Sequence, residues 1–258
     1  MMVNKISNQE RQEKIGDLIL QNQRVSINEI CSLFNISEAT ARRDLNLLKK
    51  LGKVRRVHGG GLTAAPNGQE LPLQQRQLVQ QDEKERIAQA AAEMVHDGDS
   101  IFLGSGTTIL ELAKRLRERQ NLLVFTNSLL VVNAMASFPG VNLIVLGGEH
   151  RSSESSFIGH YTEMILKEIH ADKVFIGAFA ISPEDGVTHQ YLPETQTDRA
   201  ILNCGRERII LADRTKFGRK APFALAMIDQ FETIITDRSL SPQTIVAMQE
   251  KGIKVITV

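Results

Sequence analysis

Seven short apolar runs rich in β-branched residues recur through the C-terminal two-thirds of the chain: SIFLG, LLVFT, NLIVLG, KVFIGA, RIILA, TIIT and KVITV. Helical patterns separate them. A strand with one wet face alternates apolar and polar residues, so runs this continuously apolar need cover on both faces. The predicted arrangement is a mostly parallel sheet with helices on either side. A helix is expected to lead into it over residues 84–95, KERIAQAAAEMV.

The residues that follow these runs carry the first functional signal. SIFLG runs into Ser105-Gly106-Thr107-Thr108 and then a helix, LLVFT into Asn127-Ser128, NLIVL into Gly147-Gly148, and VFI into Gly177. In an open α/β sheet the carboxyl ends of the strands form the ligand crevice, so these small polar segments are expected to converge. Ser-Gly-Thr-Thr at a strand-to-helix turn offers amides, hydroxyls and a helix N-terminus to an anion, with phosphate as the natural guest. Farther on, Glu194, Asp213 and Lys216 fall in or beside loops, and a lysine near such a turn adds a cation.

The first 62 residues are different in character. They hold eleven Lys/Arg against six Asp/Glu, a net +5, whereas the remainder holds twenty against twenty-four, a net −4, within a chain of net charge +1. Seven of the cations crowd residues 37–60. Ile15, Leu18 and Ile19 follow the spacing of a helix with one buried stripe. In SINEICSLF, Ser26 and Glu29 have the spacing of a capping box ahead of Ile27, Ile30, Cys31 and Phe34. Asn35-Ile36 then forms a tight turn, with Asn suited to a left-handed conformation, and Ser37 is the next N-cap.

On the third helix Ala41, Leu45 and Leu48 share one face, and Ala39, Arg43, Asn46 and Lys50 fall opposite, flanked by Thr40, Arg42 and Leu47. Small residues beside Arg and Asn suit a DNA major groove, where Arg matches guanine and Asn adenine. Lys53-Val-Arg-Arg-Val57 has strand character and breaks at His58-Gly-Gly-Gly61, which reads as a wing. Ser37, Thr40, Arg42, Arg43 and Asn46 are therefore expected near bases or flanking phosphates. Lys53, Arg55, Arg56 and His58 are expected to position the duplex.

VSINEICSLFNISEATARRDLNLLKKLGKVRRVHGG resembles the N-terminal signature of the DeoR family of bacterial transcriptional regulators, mostly repressors of sugar catabolism. DGDSIFLGSGTT, TNS, LGG and LADRTKFGRKA resemble that family's C-terminal sensor domain. The resemblance implies a winged helix-turn-helix domain over residues 1–62, a linker over 63–83 and a Rossmann-like α/β sensor domain over 84–258, similar in fold to sugar-phosphate isomerases and CoA transferases. It also implies a phosphorylated sugar or related effector, double-stranded operator DNA as partner, and a homo-oligomer, dimer or tetramer. Carried over by position, Ser105, Gly106, Thr107, Thr108, Asn127, Ser128, Gly147, Gly148, Gly177, Asp213 and Lys216 line its pocket. Three departures stand out: Asn35 where Gly is common, Ala178-Phe179-Ala180 where an acidic residue and Gly often follow Gly177, and Asp198 where Lys or Asn is frequent.

Three function classes stay in play: a ligand-controlled regulator, an isomerase-like enzyme with a DNA-binding appendage, and an architectural DNA binder. Isomerisation needs a base beside the sugar and a group that stabilises an enediolate. Glu194, Asp213 and Lys216 have the chemistry, but no compact acid/base motif marks the crevice, and no catalytic residue is assigned. Nor does a motif point to a cofactor or metal set. Cys31 and Cys204 lack ligand spacing and read as buried reduced thiols. With no signal core and no apolar run near 18 residues, roughly a bilayer span, the expected setting is the cytoplasm without membrane contact.

Overall fold

A computed structural model describes residues 11, 12, 14–16, 18, 19, 24–50, 54–57, 60–63 and 72–258. The chain divides into two compact units between Val79 and Gln80. In the first, helical residues 11, 12, 14–16, 18 and 19 (α1) precede β1 (Arg24–Ser26), α2 (Ile27–Phe34), α3 (Glu38–Lys50), β2 (Val54–Val57), β3 (Gly60–Thr63) and α4 (Leu73–Leu78). Ile15, Ile19, Val25, Ile27, Ile30, Ala41, Leu45 and Leu48 form one core, so the helical spacings of all three helices point their apolar residues to a common centre.

The expected wing is present as the β2–β3 hairpin, paired Val54↔Thr63 through Val57↔Gly60. The three-residue strand β1 completes an antiparallel sheet of order β1-β3-β2. Nothing in RVS marks a strand; its pairing with β3, Arg24↔Leu62 to Ser26↔Gly60, is a contact distant in sequence. Residues 63–83 are not only a connector, because they contain α4 and the start of the next helix. Apolar Leu73 and Val79, both buried, give this polar stretch an anchor.

The second unit opens with α5 (Gln81–Glu93), which begins three residues before Lys84, since Asp82 and Glu83 suit a helix N-terminus. Next come β4 (Ser100–Leu103), α6 (Thr107–Arg115), β5 (Leu122–Thr126), α7 (Leu129–Met135), β6 (Val141–Val145), β7 (Glu149–Arg151), β8 (Ser156–Ile158), α8 (His160–Leu166) and β9 (Ala171–Ile176). The chain continues through β10 (Ala180–Ser182), β11 (Gly186–His189), α9 (Leu192–Asn203), β12 (Gly205–Leu211), β13 (Phe223–Ala226), β14 (Thr233–Thr236), α10 (Pro242–Gln249) and β15 (Lys254–Thr257).

Each of the seven apolar runs is a strand of one parallel sheet, ordered β15-β14-β12-β9-β4-β5-β6. Its two faces bury alternate residues of the same strands. Phe102, Val174, Ile176, Ile210 and Ile234 enter one core, and Ile101, Leu103, Phe175, Ile209, Leu211 and Ile235 the other. On the second face lie Ile87 and Ala91 of α5 with Ile109 and Leu112 of α6; on the first, Ile201 and Leu202 of α9. Two-sided burial is why these strands read as continuous apolar runs.

The strand order reverses at β4. From it the chain builds outward through β5 and β6, then returns to β9 on the other side and continues through β12, β14 and β15. Such a switch point, at the carboxyl ends of β4 and β9, is where open α/β sheets form ligand crevices. The hairpin β7–β8 and a small antiparallel sheet β10-β11-β13 add to this end of the fold.

Candidate functional site

In the first unit, the geometry of the helix-turn-helix follows from its caps. Ser26 Oγ accepts the Glu29 N–H at 3.2 Å, and Glu29 Oε2 accepts the Ser26 N–H at 2.7 Å, closing the capping box. Asn35 adopts φ 50°, ψ 51°, the left-handed turn its side chain tolerates. Ser37 Oγ accepts the Thr40 N–H at 3.3 Å and starts α3.

Ala41, Leu45 and Leu48 face the core, while Ala39, Arg42, Arg43, Asn46 and Leu47 are exposed and Thr40 is half-buried. Arg42 is held by Glu38 one turn earlier in an exposed ion pair. Arg43 makes no hydrogen bond or ion pair among the described residues, leaving its guanidinium available on the outer face. Asp44 instead turns inward. It accepts Arg11 Nε and Gln12 Nε2, each at 2.8 Å, and ties α3 to α1. Arg55 and Arg56 lie in β2; their side chains, together with Lys53 and His58, fall outside the described residues.

In the second unit, the segments after β4, β5, β6, β9 and β12 lie at the same end of the parallel sheet. Gly104 N–H donates to Phe175 O at 2.9 Å, and a Cβ placed on Gly177 would stand 3.6 Å from Ser105 O. The turns after β4 and β9 are therefore in contact. Gly106 is the N-cap of α6, at φ 114° and ψ 160°, and among the described residues no side chain caps its amides. Thr107 and Thr108 are buried at the first turn. Glycine is the residue that adopts this backbone without strain.

Thr126 Oγ1 donates to Leu103 O at 2.7 Å and locks the tip of β5 to β4. Asn127 Nδ2 donates to Phe157 O at 2.8 Å, but Asn127 Oδ1 and Ser128 Oγ are buried with no hydrogen-bond partner among the described residues. Buried polar atoms are normally paired, so two unmet ones at a strand tip are notable. The paired glycines differ. Gly147 has open space where a Cβ would be, whereas on Gly148 it would lie 2.2 Å from Thr162 Oγ1 and 2.6 Å from Ile158 O. Gly148 is thus explained by packing.

Asp213 Oδ1 accepts the Thr215 N–H at 2.9 Å and also its hydroxyl, capping the short 3-10 turn Arg214–Lys216. Lys216 Nζ lies 6.0 Å from the centre of the Phe179 ring, the ring noted above as a departure.

Glu194 is buried in the first turn of α9, not in a loop, and belongs to a separate group. It pairs with Arg151 from β7, whose guanidinium sits 4.5 Å over the Tyr191 ring. His189 places Nδ1 4.0 Å from Glu194 Oε2 and Nε2 3.8 Å from Asp198 Oδ2. Burial lifts the Asp198 carboxyl to about 7 against the pull of Arg151, with Glu154 pushing in the same direction as burial. Of these residues, sequence reasoning picks out Glu194 and, as a departure, Asp198. Arg151, Glu154 and His189 come from a polar hairpin and a short strand without motif spacing.

The thiols are only partly as expected. Cys204 is buried, its thiol pushed up to about 11 by that burial, whereas Cys31 is half-buried. A cavity of about 330 Å³ is lined by Arg199, Leu202, Arg208, Leu225 and Gln230, away from the strand tips. Arg199 already donates to Leu225 O and Ala224 O, and Arg208 to Leu202 O and Gln230 O, so both guanidiniums brace backbone carbonyls there. Among the described residues no helix is long and apolar enough to cross a membrane.

Residues 11–65 match the family model of a DeoR-like helix-turn-helix domain, and residues 79–238 that of the DeoR C-terminal sensor domain. The chain is 31% identical to the HTH-type transcriptional regulator IolR of Bacillus subtilis (strain 168), over 90% of this chain and 92% of that protein. It is 35% identical to a lactose phosphotransferase system repressor of Lactococcus lactis subsp. lactis, over 90% and 92%. With the glycerol-3-phosphate regulon repressor of Escherichia coli (strain K12) the identity is 32%, over 93% and 94%.

Proposed function

The chain belongs to the DeoR family of DNA-binding transcriptional regulators, and from that footing we propose that it represses a carbohydrate-catabolism operon in the cytoplasm under control of a phosphorylated sugar. Relatives matched along nearly its whole length are regulators, not enzymes. Arg43, with Thr40 and Asn46, reads bases in the major groove, Ser37 and Arg42 hold flanking phosphates, and Lys53, Arg55, Arg56 and His58 position the duplex.

The effector phosphate sits at the head of α6, against Ser105, Gly106, Thr107 and Thr108. Asn127, Ser128, Gly147, Gly177 and Lys216 surround the rest of the molecule, with Asp213 shaping the turn that carries Lys216. The observation that carries this reading is the uncapped N-terminus of α6 at the switch point beside the unmet Asn127 Oδ1 and Ser128 Oγ. Effector and operator favour different arrangements of the protein, so each weakens the other by the same factor, typically about 1 to 3 kcal/mol.

A single winged helix reads few base pairs, so the protein grips repeated half-sites as a homo-oligomer. Exposed Tyr161, Met164 and Ile165 on α8 and Leu192 on α9 support such an assembly. The test is a mobility-shift assay with the DNA upstream of the neighbouring operon and a panel of sugar phosphates. At least one is expected to change the affinity. Indifference to all of them would refute the proposal.

A further inference from the structure

Several buried hydroxyls at the crevice end of the sensor unit are paired within the protein. Thr126 Oγ1 donates to Leu103 O, Thr162 Oγ1 to Gly147 O and Thr197 Oγ1 to Glu163. Ser128 and Ser156 differ from these. The two residues are 0% and 1% exposed, and neither hydroxyl has a hydrogen-bond partner among the described residues.

The two serines are also neighbours. They form an antiparallel β-bridge between the tip of β5 and β8, and directly opposed residues on antiparallel strands project from the same face. The backbone around them is firmly joined. Phe157 N–H donates to Asn127 O and Leu129 N–H to Ser155 O, each at 2.8 Å, and Asn127 Nδ2 donates to Phe157 O at 2.8 Å. Loose docking of the hairpin is therefore not the reason that the hydroxyls are left over, and buried polar atoms without partners call for an explanation.

Geometry and chemistry supply one. The Cβ atoms of opposed residues stand about 4.5 to 5.5 Å apart, a span that two hydroxyl hydrogen bonds of about 2.8 Å each cover through one shared oxygen. A serine hydroxyl both donates and accepts, and so does a sugar hydroxyl. One such group between the serines accepts from one and donates to the other, meeting both needs at once.

We propose that Ser156, a residue outside the strand-tip motifs, contacts the effector and with Ser128 clasps one of its hydroxyls. Both serines are shielded from solvent, so the ligand enters as the β7–β8 hairpin lifts from β5 and is enclosed when the hairpin settles back. This rests on the sugar-phosphate reading above and adds to it a required hydroxyl on the effector's carbon chain and the hairpin as part of the pocket.

The test is calorimetric titration of the full-length protein with inorganic phosphate, ribose 5-phosphate, glucose 6-phosphate and glucitol 6-phosphate, repeated on Ser128→Ala, Ser156→Ala and the double variant. For the tightest-binding sugar phosphate, each single substitution is expected to weaken affinity by about fivefold, the worth of one neutral hydrogen bond. Inorganic phosphate affinity is expected to stay unchanged, and the melting temperature not to fall, because no internal hydrogen bond is lost. Since both serines hold the same oxygen, the double variant is expected to lose less than the product of the single losses. The Leu129 and Phe157 amides, which tie the hairpin to β5, are expected to exchange with solvent about tenfold or more slowly at saturating ligand.

Sugar-phosphate affinity or a melting temperature that contradicts these expectations for Ser156→Ala, single losses that multiply, or unchanged exchange at the two amides would overturn the clasp while leaving the phosphate site intact. If neither inorganic phosphate nor any sugar phosphate binds, the effector reading itself fails and the clasp falls with it.

Discussion

Asp44 accepts Arg11 Nε at 2.8 Å with 4% of its side chain exposed, joining the helix proposed to enter DNA to the helix at the start of the chain. The carboxylate lies on the same side of α3 as Leu45 and Leu48, so the outward face of that helix is oriented by a buried ion pair as well as by packing. Removing Asp44 leaves a largely buried guanidinium without this partner. Asp44→Ala is predicted to lower the stability of the N-terminal unit by about 2 kcal/mol and to reduce operator binding at temperatures where the unit begins to open. Urea melts monitored alongside mobility shifts check this; an unchanged midpoint would contradict it.

Arg43 and Arg56 are predicted to fail differently. Arg43→Ala removes a group proposed to read bases and is expected to cut the preference for operator over unrelated DNA by about 1 to 3 kcal/mol. Arg56→Ala is expected to weaken every duplex alike and to lower the salt slope of binding by about one. Salt-dependent titrations on specific and scrambled duplexes separate the two effects, and identical specificity ratios for both variants would count against the assignment.

The adjacent glycines after β6 give a sharp contrast. Gly148→Ala would force a Cβ to 2.2 Å from Thr162 Oγ1 and 2.6 Å from Ile158 O, and is predicted to destabilise the sensor unit by about 3 kcal/mol. Gly147→Ala enters open space and is predicted to leave the melting temperature unchanged while altering effector affinity. Equal melting temperatures for the two variants would contradict the packing role of Gly148.

Asp198 predicts a pH signature. Its carboxyl keeps its proton to about 7 in the folded protein, whereas in the unfolded chain it loses it near pH 4, about the usual aspartate value. The unfolded state thus binds fewer protons between those limits, and this group's contribution to stability is complete at low pH and lost as pH rises toward 7. Asp198→Asn abolishes the loss. Its stability relative to wild type is predicted to rise from pH 4 to about pH 7 and then level off; a difference independent of pH would show that the carboxyl is not buried as described.

The large sheet is legible in the sequence because its strands are buried on both faces. Ile101, Phe102 and Leu103 are all fully buried although they alternate between two cores, so the run stands out without alternation. The N-terminal helices are legible through their caps, Ser26 with Glu29 and Ser37 with Thr40. Less legible are β1, β7, β8, β10, β11 and β13, which are three or four residues long; β1 pairs with β3 and β11 with β13 across contacts remote in sequence, while β7–β8 and β10–β11 are hairpins too short to show an alternating pattern.

The same limit hides half of the candidate site. Ser105 to Thr108 can be read because a strand, a glycine and a helix start are contiguous there. Arg151 and His189 cannot, because only the folding back of β7 and β11 onto α9 brings them to Glu194. In RSSESS the hairpin looks like a polar surface turn. Gly148 shows a demand the motif does not reveal, since the absence of a Cβ there admits a neighbouring hydroxyl.

The central claim, that a sugar-phosphate site in the second unit controls the DNA grip of the first, is tested most directly by measuring linkage from both sides. Operator affinity is titrated with and without saturating sugar phosphate, and sugar-phosphate affinity with and without saturating operator. The account predicts the same factor in both experiments, in the range of about 5 to 150, and its disappearance when Gly106 is replaced by Val in a protein that still folds and binds operator. Tight binding of both ligands with a factor of one would contradict it.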